Sequence, residues 1–179
     1  MFHAILFPLM KAKDFSLPDQ NGKIQTLSNY KGRWIILYFY PKDDTPGCTK
    51  EACSFRDNYQ TLQIKGVVIL GVSKDSISSH KKFADKYRLT FPLLSDEDKK
   101  IHKAYGAWGK KKFMGREFEG TLRNTYLINP KGEIQKVYEN VNPLNHAQKI
   151  RLPICVDTKN GLIEQLRRLL GEHNIKILH

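Results

Sequence analysis

Cys48 and Cys53 stand with four residues between them in the polar stretch Pro41-Lys42-Asp43-Asp44-Thr45-Pro46-Gly47-Cys48-Thr49-Lys50-Glu51-Ala52-Cys53, which follows an apolar run. A cysteine so placed can act as a nucleophile. Pro46 and Gly47 shape a turn that puts Cys48 in the first turn of a helix, where unpaired backbone N–H groups and the positive dipole end favour a thiolate. A cysteine picked at random is more often a small buried hydrophobe. Here the Asp, Thr, Pro, Gly and Lys neighbours favour a reactive position. Zinc binding is a third reading and a weak one, because no second matched cysteine pair accompanies the first.

The elements that must position this loop follow from periodicity. Trp34 to Tyr40 is a continuous apolar and aromatic run closed by Pro41, too short for an ordinary helix and too uniform for a half-exposed strand, so it predicts a central buried strand. Val67 to Val72 repeats the pattern. Between them Ala52, Phe55, Tyr59 and Leu62 recur at helical spacing, which makes a parallel strand–helix–strand unit with a right-handed crossover. Asp14 to Leu17 and Ile24 to Leu27 read as a hairpin turning at Asn21-Gly22, and Ser28-Asn29 precedes a short helical turn ended by Gly32.

Further along, a helix is predicted over Ile77 to Tyr87 with Ser76 as its cap, a short strand over Thr90 to Leu94, and a short helix over Asp98 to Tyr105. A Gly- and Lys-rich loop follows, with Lys110-Lys111-Lys112 read as solvated. Thr121 to Ile128 and Glu133 to Tyr138 read as antiparallel strands meeting at Asn129-Pro130-Lys131-Gly132, and Leu162 to Leu170 as a closing amphipathic helix. The order implies an α/β fold: a mixed central sheet with helices on both faces, compatible with a thioredoxin-like fold.

At 179 residues with 40% hydrophobic content the chain fits a single domain that needs no disulfide or metal staple. Three unevenly placed cysteines argue against a secreted disulfide scaffold and for a reducing, cytoplasmic setting. The opening Met1 to Met10 lacks the pattern of a cleaved signal, and no run reaches membrane-spanning length. The net charge of +12 favours anionic partners and motivates one non-enzymatic reading, a basic nucleic-acid-binding module, although no groove-reading motif accompanies it.

The run from Tyr38 to Asp57 closely resembles the peroxiredoxins, in particular the branch called bacterioferritin comigratory protein or peroxiredoxin Q. The similarity extends from Asp14-Phe15-Ser16-Leu17-Pro18-Asp19 through Gly71-Val72-Ser73, Phe91-Pro92-Leu93-Leu94-Ser95-Asp96 and Arg123-Asn124-Thr125-Tyr126-Leu127-Ile128 to about Tyr138. The resemblance implies a thioredoxin-like fold and a peroxidase acting on hydrogen peroxide and organic hydroperoxides. It makes Cys48 the peroxidatic cysteine and Pro41, Thr45 and Arg123 its companions: Arg123 to stabilise the thiolate and orient the peroxide, Thr45 to bond the peroxide oxygens, Pro41 to shield the sulfur. It implies that Cys53 condenses with the Cys48 sulfenic acid and that thioredoxin or a similar dithiol protein recycles the disulfide, with no metal, haem or flavin. Two nearby cysteines resolving within one chain suit a monomer.

The chain departs from the family pattern over residues 1–10 and 142–157, and Cys155 has no counterpart in it. A thiol-disulfide oxidoreductase acting on proteins is the enzymatic alternative. It is disfavoured because such enzymes place two residues between their cysteines and give Thr45 and Arg123 no task.

Overall fold

The structure is a computed structural model that describes residues 10–64, 66–113 and 115–150. The expected closing helix over Leu162 to Leu170, Cys155 and most of the opening segment lie outside the described residues.

The apolar run becomes β3 (Trp34–Phe39), flanked in sequence by the hairpin β1 (Ser16–Pro18) and β2 (Ile24–Thr26), a 3-10 turn over Leu27–Tyr30, and α1 (Pro46–Ile64). Next come β4 (Val67–Ser73), α2 (Ile77–Tyr87), β5 (Leu93–Ser95) and α3 (Lys100–Ala104). β6 (Trp108–Phe113), β7 (Arg116–Thr121), β8 (Thr125–Ile128), β9 (Ile134–Tyr138) and α4 (His146–Lys149) complete the described chain. The main sheet runs β5-β4-β3-β8-β9, with β3, β4 and β5 parallel and β8 and β9 antiparallel. Expected strand–helix–strand unit, hairpin and mixed sheet are all present.

Strand alternation divides the core in two. Ile36, Tyr38 and Tyr40 face Ala52, Phe55 and Tyr59 of α1 and Phe83 and Ala84 of α2. Ile35, Leu37 and Phe39 face Phe15, Leu17, Tyr105 and Ala107, with Ile101 of α3 and Leu27 and Tyr30 of the 3-10 turn against them. β3 is therefore buried on both faces, as its uniform apolar sequence requires.

The predicted helix with Ser76 as cap is present, the Ser79 N–H donating to Ser76 Oγ. Three expectations need correction. The Gly- and Lys-rich stretch is not a loop: Lys110, Lys111 and Lys112 lie in β6, paired antiparallel with β7 in a separate two-stranded ribbon. Lysine and glycine have low strand propensity, and cross-strand pairing outweighs it here. The single strand expected from Thr121 to Ile128 is two pieces, because Leu122 to Asn124 leaves the sheet: Leu122 N–H bonds Ala107 O and Asn124 N–H bonds Leu122 O. The strand expected at Thr90 to Leu94 is displaced to Leu93–Ser95, since Pro92 has no N–H to give a ladder.

Candidate active site

Topology brings two distant segments together. β8 runs antiparallel to β3 with Tyr38 opposite Thr125, so the residues just before β8 lie where β3 ends and the cysteine loop begins. Arg123 is thereby delivered to Cys48. Its Nη2 donates to Cys48 Sγ at 3.1 Å, and Cys48, in the first turn of α1, is 1% exposed.

The loop between β3 and α1 is held by a buried polar network. Asp43 accepts hydrogen bonds from Tyr40 Oη at 2.7 Å and Ser79 Oγ at 2.7 Å and pairs with His80 Nδ1 at 2.8 Å. Its own N–H donates to Asp75 Oδ2, which Ser73 Oγ also holds. Asp44 takes a left-handed backbone (φ 53), and its carboxylate accepts from Lys86 Nζ and Tyr87 Oη, both at 2.6 Å. Both ties run to α2 or the β4–α2 connection, so loop and helix α2 are fixed as a unit. Pro46 opens α1, where a missing N–H costs nothing.

Pro41 follows the buried Tyr40 and is half-buried. Thr45 donates its hydroxyl to Lys42 O at 3.1 Å, and its carbonyl accepts the Thr49 N–H of the first helical turn. Cys53 is half-buried further along α1, and both cysteines are free thiols. It lines a groove of about 580 Å³ with Pro46, Gly47, Tyr87 and Leu144, on a rim that does not include Cys48.

Two participants were not anticipated from sequence. Glu51 is 1% exposed, and its Oε2 accepts Arg123 Nη1 at 2.8 Å, so one guanidinium bridges carboxylate and sulfur. Glu51 Oε1 has no hydrogen-bond partner among the described residues. Burial pushes this carboxyl up to about 7, while Arg123 pulls it back through charge and hydrogen bonding. Burial prevails because desolvation of a carboxylate outweighs one ion pair that leaves half of it unsatisfied. The signal was available: Glu51 lies three residues after Cys48 on the same helical face.

The other is the segment after β9, which leads into the stretch expected to depart from the family pattern. Val141 N–H donates to Arg123 O at 2.9 Å, and Pro143 lies beside Gly47, whose missing Cβ would stand 3.3 Å from Arg123 Nη2 and 3.4 Å from Pro143. His146 is buried edge-on to Phe55 of α1 at 5.7 Å, with Nε2 2.8 Å from Thr125 Oγ1. Burial, reinforced by Lys149, pushes its imidazole down to about 4.

This arrangement sets a buried cysteine sulfur at a helix start, one guanidinium on it, and a carboxylate paired with that guanidinium. Residues 9–137 match the AhpC/TSA family, and the chain belongs to that family. A Bcp peroxiredoxin of Coxiella burnetii is 46% identical over 140 residues, 78% of this chain and 93% of that protein. The peroxiredoxin Bcp of Escherichia coli is 44% identical over 135 residues, covering 75% and 86% respectively. Among solved structures, the bacterioferritin comigratory protein of Xanthomonas campestris, described with alkyl peroxide reduction activity, superposes with a TM-score of 0.71 at 36% identity, over 75% of this chain and 85% of that one. Peroxiredoxin Q of Xylella fastidiosa gives 0.75 at 28% identity over 94% of this chain and 100% of that one. The fold is thus the thioredoxin-like peroxiredoxin fold, and the chain is a thiol-dependent peroxidase.

Proposed function

We propose that the chain reduces hydrogen peroxide and organic hydroperoxides at Cys48, with Cys53 as the resolving thiol and thioredoxin or a similar dithiol protein as the final reductant. The observation that carries this reading is the 3.1 Å contact between Arg123 Nη2 and Cys48 Sγ. The guanidinium is permanently charged and presents several donors in a fixed plane, so it can both compensate a thiolate and hold a peroxide oxygen.

In the first step the Cys48 thiolate attacks the terminal peroxide oxygen. The O–O bond breaks, its electrons leave with the departing oxygen, and that oxygen takes a proton to become water or an alcohol. The sulfur is left as a sulfenic acid. Thr45 contributes a hydroxyl toward the reacting oxygens once its bond to Lys42 O is exchanged, and Pro41 limits water around the sulfur. In the second step the Cys53 thiolate attacks the sulfenic sulfur, forming a disulfide, and the displaced hydroxide takes a proton and leaves as water. Two electrons from a dithiol return both thiols.

The resolving step requires movement. Residues five apart on an intact α-helix have Cα atoms roughly 8 to 9 Å apart, whereas a disulfide needs them within about 7 Å. The first turns of α1 therefore open before the bond closes. Peroxide consumption with a thioredoxin system, compared between wild type and Cys48→Ser, tests the reading. Cys48→Ser should be inactive, and retention of more than a few per cent of the rate would remove Cys48 as the nucleophile.

A further inference from the structure

The β6–β7 ribbon lies against the loop that carries Arg123. Leu122 N–H donates to Ala107 O at 2.8 Å, a Cβ on Gly109 would meet Leu122 Cδ1 at 3.4 Å, and Lys111 Nζ donates to Thr121 O at 2.9 Å. Two of those ties are backbone or packing. The third is a charged side chain that other placements would leave in water.

Register singles this lysine out. Lys110 is opposite Glu119 and Lys112 opposite Glu117, so these cations share one face of the ribbon with acidic cross-strand partners. Lys111 is opposite Phe118 on the other face and has no acidic partner across the strand. Its stem crosses Gly120, where an added Cβ would stand 3.4 Å from Lys111 Cδ and 3.3 Å from the Phe118 ring. The absence of a side chain at Gly120 leaves the lysine room to reach Thr121.

Resting on the peroxidase reading of Cys48, we propose that Lys111 is a positioning residue of that site: it holds Thr121 at the foot of the loop that carries Arg123 and so fixes where that cation stands against Cys48. Its electrostatic surroundings agree. Burial lowers the ammonium from its ordinary value, the nearby Arg123 cation lowers it further, and negative charge on Cys48 raises it again. Among the described residues, the other titratable groups interacting around Cys48 include Arg123 from its loop, Glu51 from α1, Tyr38 from β3 and Asp43 from the loop before α1. Lys111 and Arg123 are the cations among them.

The test compares Lys111→Met with Lys111→Arg. Two quantities are read: the second-order rate with hydrogen peroxide, and the pH midpoint of Cys48 alkylation by iodoacetamide, followed on its own peptide. Lys111→Met should slow the peroxide reaction roughly 3- to 10-fold, the scale of one partly screened charge and one hydrogen bond, and move the alkylation midpoint to higher pH. Lys111→Arg keeps charge and donor and should match wild type in both. An unchanged rate and midpoint in Lys111→Met would overturn the proposal. So would equal losses in both variants with the midpoint unmoved, which would mark a packing role only. Lys111→Gln replaces the methionine variant should circular dichroism show the latter unfolded. Alkylation needs no peroxide, so a wild-type chain inactive toward peroxide would sink the proposed function while this inference is still decided by the midpoints.

Discussion

Glu51 and Arg123 pair Oε2 to Nη1 at 2.8 Å, the glutamate buried and the arginine partly exposed, and the carboxylate gives one oxygen to the cation while the other has no hydrogen-bond partner among the described residues. The arginine that touches the sulfur is thus aimed by a group whose own ionisation is costly.

That cost gives a pH dependence. The folded-state value of Glu51 is raised to about 7 from 4.5, so between these values the folded protein binds more protons than the unfolded one, and stability falls as pH rises through that window. Urea unfolding at pH 5 and pH 8 should show Glu51→Gln gaining on wild type at the higher pH by on the order of 2 kcal/mol. An equal difference at both values would mean that Glu51 titrates normally.

Arg123→Lys keeps a charge and gives up the planar fork that spans Glu51 and Cys48. The second-order peroxide rate should drop about 10-fold or more, equivalent to roughly 1.4 kcal/mol or more of lost transition-state stabilisation. Stopped-flow measurement at fixed pH checks it, and an unchanged rate would exclude Arg123 from the reaction.

Cys53→Ser should consume one peroxide per chain and stall as sulfenic acid, or take up a second peroxide and proceed to sulfinic acid. In wild type, one equivalent of peroxide should yield a Cys48–Cys53 disulfide and loss of amide protection over the first turns of α1. Peptide mapping with hydrogen exchange reads both, and a dominant bond from Cys48 to Cys155 would contradict the assignment.

His146 has the opposite pH sense from Glu51. Its folded value is pushed down to about 4 against 6.5 for an unburied imidazole, so the stabilisation is fully present above about pH 6.5 and is lost as pH falls toward 4. Amides of α4 should exchange faster at pH 5 than at pH 7.5 after correction for intrinsic rates, and His146→Phe should reduce that difference.

Gly71→Ala probes the core beneath the site. A Cβ there would stand 2.8 Å from Tyr38 Cζ and Oη and 2.9 Å from Leu93 Cδ2, so overpacking should cost about 1–3 kcal/mol in thermal or urea unfolding.

Much of this architecture was readable in the sequence where one rule acted alone. Uniform apolar runs became β3 and β4, and Ser76 capped α2 because a local side-chain bond decides a cap. Cys48 and Arg123 were legible through resemblance, and the geometry joins them. The β6–β7 ribbon was missed because its lysines and glycines disfavour strands locally, and only the partner strand reverses that preference. Glu51 was not singled out, since its burial depends on where Arg123 arrives from a segment far along the chain. His146 lay in a segment whose register against α1 no local pattern specifies.

The unequal exposure of the two sulfurs sorts reagents by size. Cys48 is 1% exposed behind Arg123 and Gly47, whereas Cys53 sits half-buried on the groove rim. Under the proposed function, the small peroxide end of a hydroperoxide would reach the first sulfur while α1 is wound. Under the proposed cycle a folded protein carrying a dithiol is too bulky to follow, so the wound helix would admit the oxidant and bar the reductant until the chain is oxidised and opened.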